Sequence, residues 1–458
     1  MRLSDSTTAV ETKVPAAPEA EAVGQTEGLD FDAFRAGLDE PGWVRERREG
    51  AWRRFREIPL PTKKAEEWRY TDLKALALGS FSPLAPAAAH AEAEELPRSV
   101  REVLERSRSQ AGVLVQRNGR VGHVELDGEL TERGVLFMPL ERAAREHADL
   151  LQRYLFVSRA APMEEKLWTL HAAFLSGGYL LYVPRDVRVE RPFHAFRVLE
   201  RGGALAATHS LVVADSGAEA TVVDEFVSPD LDQPSLSVAG AVIHGEANAT
   251  LRYVALQRYG RGVKHFAIQH LSARRDTKLA GFNVTLGADL SRADVSSRLL
   301  GPGSESEMLA LWFGDREQHF DHHTLQHHAA PHAHSDLLYK GALTEGASSV
   351  FRGLIRVDKG AQLTDAYQTN RNLLLSEDAR ATALPNLEIE ADDVRCSHGA
   401  TIGQVEAGQR FYLMSRGLTR KQAERLLVFG FLDEVLARLP VEGVRDRVRE
   451  AIEEKVGV

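Results

Sequence analysis

The chain has 458 residues, of which 43% are hydrophobic and 27% charged, with a formal net charge of −9. That balance is ordinary globular usage and argues against a broad basic surface for nucleic acid. The single cysteine excludes an internal disulfide and every cysteine-rich zinc or cluster motif, and it suits a reducing, cytoplasmic compartment.

The first segment, residues 1–28, is rich in Ala, Glu, Thr and Pro and lacks an apolar h-region, so it reads as a disordered tail and not a signal peptide. Residues 29–177 read as a helical and mixed region. PGWVRERREGAWRRFREI opens on Pro41 at a first helical position, with Val44, Trp52 and Phe55 at broadly helical spacing. Breaks fall at Pro41, Pro59, Pro61, Pro83 and Pro86. Trp68, Tyr70 and Leu73 in AEEWRYTDLKAL are expected to pack a small core. GVLVQRNGRVGHVEL predicts a hairpin about Asn118-Gly119. Helices are expected in ERAAREHADLLQRYL and MEEKLWTLHAAFL.

The character changes at Gly177-Gly178. From residue 178 to 405 brief β-rich runs such as GYLLYVP, HSLVVADSG and EATVVDEFV are broken by Gly, Asp or Asn. Small turn pieces recur irregularly, among them Gly217-Ala218, Gly287-Ala288, Gly346-Ala347 and Gly360-Ala361. With few hairpin turns, this pattern fits a β-solenoid or β-helix better than a sandwich. In QTNRNLLLS, Gln368, Asn370 and Asn372 alternate on one face and are expected to stack as an amide ladder between rungs. Leu373 to Leu375 read as a strand covered on both faces. Residues 406–458 return to helix. Thr419 and Gln422 form a capping-box pattern, Ala423, Leu426, Leu427, Leu432, Val435 and Leu436 recur on one face, and Pro440 and Gly443 precede a last helix. The fold class is mainly β, with helical regions at both ends.

No phosphate-binding loop and no dinucleotide fingerprint is present, so any nucleotide chemistry belongs to another subunit. Three clusters carry candidate chemistry. HFDHHTLQHHAAPHAHS holds His319, His322, His323, His327, His328, His332 and His334, and a strand would put His332 and His334 on one face. It reads either as a metal-binding cluster or as solvated and hydrogen-bonded imidazoles. Glu388, Glu390 and Asp392 alternate opposite Leu387 and Ile389. They suit acid–base chemistry in a β-helical carbohydrate-active enzyme, a Ca²⁺ site, or the wet face of an amphipathic strand. Cys396 and His398 share a face of an extended segment, as a low-pKa thiol with its imidazole, as half of a metal site, or as a structural cysteine. Two ligands do not complete an iron or iron–sulfur site, so a metal function requires ligands from a second chain.

The segments YQTNRNLLLSEDARATALPNLEIEADDVRCSHGATIGQ and FYLMSRGL, with the terminal helices, resemble the SufB/SufD family of iron–sulfur cluster assembly proteins. So does DHHTLQHHAAPHAHSDLLYKGALTEGASSVFRGLIRV, and PTKKAEEWRYTDL is similar to the SufD branch. The resemblance covers the chain from about residue 40 and is most specific over residues 320–420. It implies a right-handed parallel β-helix core between N-terminal and C-terminal helical regions. It also implies a non-catalytic scaffold that pairs with SufB through the β-helix and docks the SufC ATPase through the C-terminal helices, with sulfur supplied by a cysteine desulfurase. By position, the resemblance implies that His398 faces a SufB cysteine where a transient cluster or iron forms, with Cys396 as its strand-mate. Whether a flavin takes part, and whether the chain forms a homodimer without its partner, are left open.

Overall fold

The computed structural model describes residues 28–85, 96–106, 110–155 and 165–457. The tail reading for residues 1–27 and the break at Pro86 lie outside them. The described residues form a parallel β-helix of about eight turns, flanked by helices at both ends. Its two sheets hold ten strands each, and successive strands of the core alternate between them. Leu290–Leu299 lies between Val263–Ala273 and His319–His328 in one sheet. Glu305–Gly314 lies between Lys278–Thr285 and His334–Leu343 in the other. One turn takes about 30 residues: the Gln318 side chain donates to the Ala288 carbonyl of the preceding turn, 30 residues back.

The corners explain the irregular Gly, Asn and Asp pattern. Gly217, Asn248, Asp276 and Gly303 adopt left-handed backbone, a conformation open to glycine and tolerated by Asn and Asp. A small residue follows several of these bends: Ala218, Ala249, Ala333 and Ala347 are all buried where the chain turns into the next strand. Less suited residues, including Arg316, His332 and Leu363, also take left-handed backbone at corners, which is why the spacing gave no strict repeat.

Both outer faces of the β-helix are covered, each by a different end of the chain. One sheet receives the N-terminal region. Leu236, Val238, Val242, Phe266 and Ile268 pack with Phe55, Trp68 and the helix Glu165–Ala173. The other receives the tail, where Val254, Leu256, Phe282, Leu309, Leu311 and Phe313 meet Val428, Leu432, Val435, Val444 and Val448. Strands buried on both faces lose polar alternation, hence runs such as LALWF. The predicted hairpin is present, with Gly112–Arg117 and Arg120–Leu126 antiparallel about Asn118-Gly119. It closes the N-terminal end of one sheet, and Leu136–Pro139 closes the other in antiparallel fashion.

Buried charges lock these layers together. Arg292 is fully buried, with Cζ 3.8 Å from the Trp68 ring centroid. It donates to Asp294 at 2.9 and 3.0 Å, to Asp321 at 3.1 Å and to the Glu67 carbonyl at 2.8 Å. Thr71 donates to Asp321 at 2.5 Å, so segment 67–71 is pinned to the β-helix. At the tail, Arg447 donates to the buried Glu225 at 2.7 Å, and Lys340 reaches the Phe431 carbonyl at 2.9 Å. Burial opposes the charge on Glu225, yet the His194 hydrogen bond, Arg447 and Arg258 outweigh it and hold the carboxyl well below the usual range.

Three sequence expectations change. Trp68 and Leu73 are buried, but Tyr70 is exposed. In the helix Arg420–Leu436, Leu426 points to solvent and Val428 takes an inward place, because the helix seats on the sheet with a narrower stripe. The Thr419–Gln422 capping box is formed, at 2.9 and 3.3 Å. Gln368, Asn370 and Asn372 do face the core, but no amide ladder forms. Their register neighbours are Leu337, Tyr339 and Gly341 on one side and His398, Ala400 and Ile402 on the other. Leu373 and Leu375 pack on the tail while Leu374 packs inside, so that segment is covered on both faces as expected.

Replacing Arg292 takes the arginine from its ion pairs with two buried carboxylates, a loss that typically costs about 3–5 kcal/mol. Arg292→Met is therefore expected to lower the urea midpoint strongly, with earlier proteolysis at segment 67–71. An unchanged midpoint would show that this clamp does not hold the N-terminal region.

Candidate functional site at the open end of the β-helix

The last turn consists of Arg380–Ile389 and Val394–Gln404, each the terminal strand of its sheet. Val394–Gln404 pairs in parallel with Thr364–Leu374 on one side only. Its other edge presents backbone N–H and C=O groups to whatever lies beyond, a template for strand addition. Tyr367, Ile389 and Ile402 are exposed at this end. In the next helix, Ala407–Ser415, no residue is buried, and Phe411 is 74% and Tyr412 56% exposed. Met414 and Leu426 are exposed as well.

Cys396 and His398 share a strand face, as expected from their spacing. Cys396 is in register with the buried Ala366 and His398 with the buried Gln368, so both belong to inward-facing columns at the place where the β-helix stops. With no further turn above it, His398 is exposed. Cys396 is half-buried beside Ile355, Val357 and Ala366. Burial pushes its thiol up, and the Asp365 charge adds to the effect. That direction runs against the low-pKa thiol, one of the three readings the Cys–His spacing leaves open.

The carboxylates are not brought together on a strand. Glu388 lies on Arg380–Ile389, whereas Glu390 and Asp392 follow it in the corner, and all three are exposed. The alternation in the sequence runs past the physical end of the strand. The histidines divide likewise. His332 sits in a corner with left-handed backbone, and His334 begins the next strand, so the two do not share a strand face. His322 and His328 point inward, His322 stacking on Trp312 at 4.4 Å and His328 meeting Ser335 at 2.7 Å. His319 meets Thr71 at 3.0 Å, His323 meets Asp321 at 2.9 Å, and His327 meets Asp358 at 3.0 Å. Their imidazoles serve packing and hydrogen bonding. Among the described residues no three His, Cys, Asp or Glu side chains converge as metal ligands, so Cys396 and His398 need donors from elsewhere to hold a metal.

Two family models match this chain. One, described as "SUF system FeS cluster assembly, SufBD core domain", covers residues 196–431, and "SufBD protein N-terminal region" covers residues 38–194. The chain therefore belongs to the SufBD family of iron–sulfur cluster assembly proteins. Among relatives, it is 32% identical over 429 residues to the iron–sulfur cluster assembly protein SufD of Bacillus subtilis, covering 93% of this chain and 96% of that protein. A SufBD family protein of Synechocystis is 29% identical over 440 residues, covering 93% and 94%. One from Staphylococcus epidermidis is 25% identical over 413 residues, covering 88% and 87%.

Burial lowers several internal histidines, with His171, His270, His322 and His328 at about 4 and His265 at about 3. Their folded values lie below the ordinary value near ~6.5, so the unfolded chain takes up protons first. Stability from this source is complete above that pH and is lost as pH falls towards 4, by about 1.4 kcal/mol per unit for each group. The urea midpoint should drop steeply between pH 7 and pH 5, and His328→Gln should lessen the drop. A midpoint independent of pH over this range would contradict the assignment.

Proposed function

We propose that this chain is a non-catalytic scaffold subunit of an ATP-dependent iron–sulfur cluster assembly complex, with two docking surfaces and one residue in contact with the cargo. The observation that carries the reading is the open final turn, where Val394–Gln404 has an unpaired edge and His398 stands exposed beside it. SufB pairs with this end, extending the β-helix across the interface. Iron or a nascent cluster is cargo held between His398 and ligands of SufB. Cys396 lies two residues before His398 on the same strand face, as a ligand held in reserve or as packing.

The second surface takes the SufC ATPase. Phe411, Tyr412, Met414 and Leu426 present an apolar face beside the last turn, of the kind that partners cover. This placement lets ATP-driven movement of SufC act on the turn that carries His398, opening and closing the interface to iron and to sulfur from a cysteine desulfurase. The absence of a phosphate-binding loop in the sequence agrees with a division of labour in which SufC supplies the nucleotide site.

Reconstitution with SufB, SufC, a cysteine desulfurase, Fe²⁺ and ATP tests both surfaces. His398→Ala is expected to lower cluster yield by roughly tenfold or more while all three subunits co-elute. Normal yield would remove His398 from the mechanism. Phe411→Asp is expected to release SufC and leave SufB bound; retention of SufC would place its docking site elsewhere.

A further inference from the structure

Gln368 is fully buried, and neither its amide oxygen nor its amide nitrogen has a hydrogen-bond partner. Its neighbour in the preceding turn is Leu337, and its neighbour in the last turn is His398. Across the core, the amide lies against the backbone of Gly353. A Cβ on that glycine would stand 2.3 Å from Nε2 and 2.5 Å from Oε1, so the missing side chain is what makes room for the amide. Gly353 is in register with Thr324, whose hydroxyl also lacks a partner, and Gln326 Oε1 nearby in the same strand is unpaired too. Gln368 thus lies in the column that ends in His398, while the unpaired Thr324 and Gln326 atoms belong to the facing sheet.

Buried polar groups nearly always find partners, and an orphaned one carries the full penalty of its desolvation. A methionine of the same reach would fill this space without that penalty. The folded chain by itself gives no reason for an amide here. The covered state does. An imidazole that ligates through one ring nitrogen is normally held by an acceptor on the N–H of the other, which fixes its tautomer and direction. The strand register makes Gln368 the neighbour of His398 in the turn beneath, and its Oε1 is a buried acceptor without a partner.

We infer that Gln368 is a positioning residue for His398. When the partner covers the last turn, the amide oxygen accepts the imidazole N–H and leaves the other nitrogen's lone pair directed at the iron cargo. No proton or electron is transferred in this step. The inference rests on the reading of His398 as an interface ligand.

The test uses the full reconstituted complex. Gln368→Met should lower cluster yield about tenfold, the usual scale for loss of such a support, with partner binding intact. At the same time the thermal midpoint of the isolated chain should stay level or rise, because two orphaned polar atoms are gone. Gln368→Glu keeps a carbonyl at the same reach and should restore most of the yield. The double variant Gln368→Met/His398→Ala should be no worse than His398→Ala. Normal yield with Gln368→Met, while His398→Ala fails, overturns the role of Gln368 and leaves His398 in place. Normal yield with His398→Ala overturns the underlying reading itself. If Gln368→Met lowers yield and thermal midpoint together, and the double variant is additive, Gln368 is packing alone and the inference fails.

Discussion

Parallel pairing held in one unbroken register from turn to turn is the constraint on which everything else depends. From Val263 to Gln404 each strand meets the strand one turn later without a slip. Side chains alternate across a strand, so a slip of one residue would exchange core and surface through a whole turn. The register therefore decides that His322, Gln368 and His398 belong to inward columns while His323 and His327 do not. It also accounts for the buried Arg292: Asp294 is two residues along the same strand, and Asp321 is its partner in the next.

The two ends of the β-helix are treated differently, and the proposed function follows from that asymmetry. Antiparallel strands finish the N-terminal end, and both flanking regions are spent on the outer faces of earlier turns. Among the described residues, neither of these apolar clusters includes a residue of the last turn. Exposed hydrophobic strand edges favour unwanted pairing, and charged residues restrain it. Here Arg380, Glu388, Asp392, Asp393 and Arg395 surround the edge, while Ile389, Ile402 and Tyr367 remain open to solvent. A surface of that kind suits a chosen partner better than indiscriminate association.

Much of the fold follows from local chemistry. Asn118-Gly119 makes the hairpin because both residues accept left-handed backbone, and Thr419-x-x-Gln422 caps its helix because the donors and acceptors lie within one turn. What could not be read depends on neighbours some 30 residues away or on the far side of the core. Leu426 repeats like a core residue, yet the seat of its helix turns it outward. The amides of QTNRNLLLS alternate correctly, but a ladder needs amides at matching positions in adjacent turns, and those hold Leu337, Tyr339 and Gly341. The carboxylate pattern crosses a corner that the periodicity does not mark. Spacing and family resemblance mark Cys396 and His398 in the sequence, whereas only the buried amide without partners sets Gln368 apart from Asn370 and Asn372. An Arg and an Asp in a strand that is otherwise buried, as in LSRADVSS, were the available signal for the Arg292 clamp.

Backbone amide exchange across the last turn, with and without SufB, tests the central claim most directly. If the open end is the pairing surface, amides in Val394–Gln404 slow when SufB is added, and those in the N-terminal hairpin strand Arg120–Leu126 keep their rates. Unchanged exchange at Val394–Gln404 in a complex that has formed, or slowing confined to Arg120–Leu126, would contradict the account.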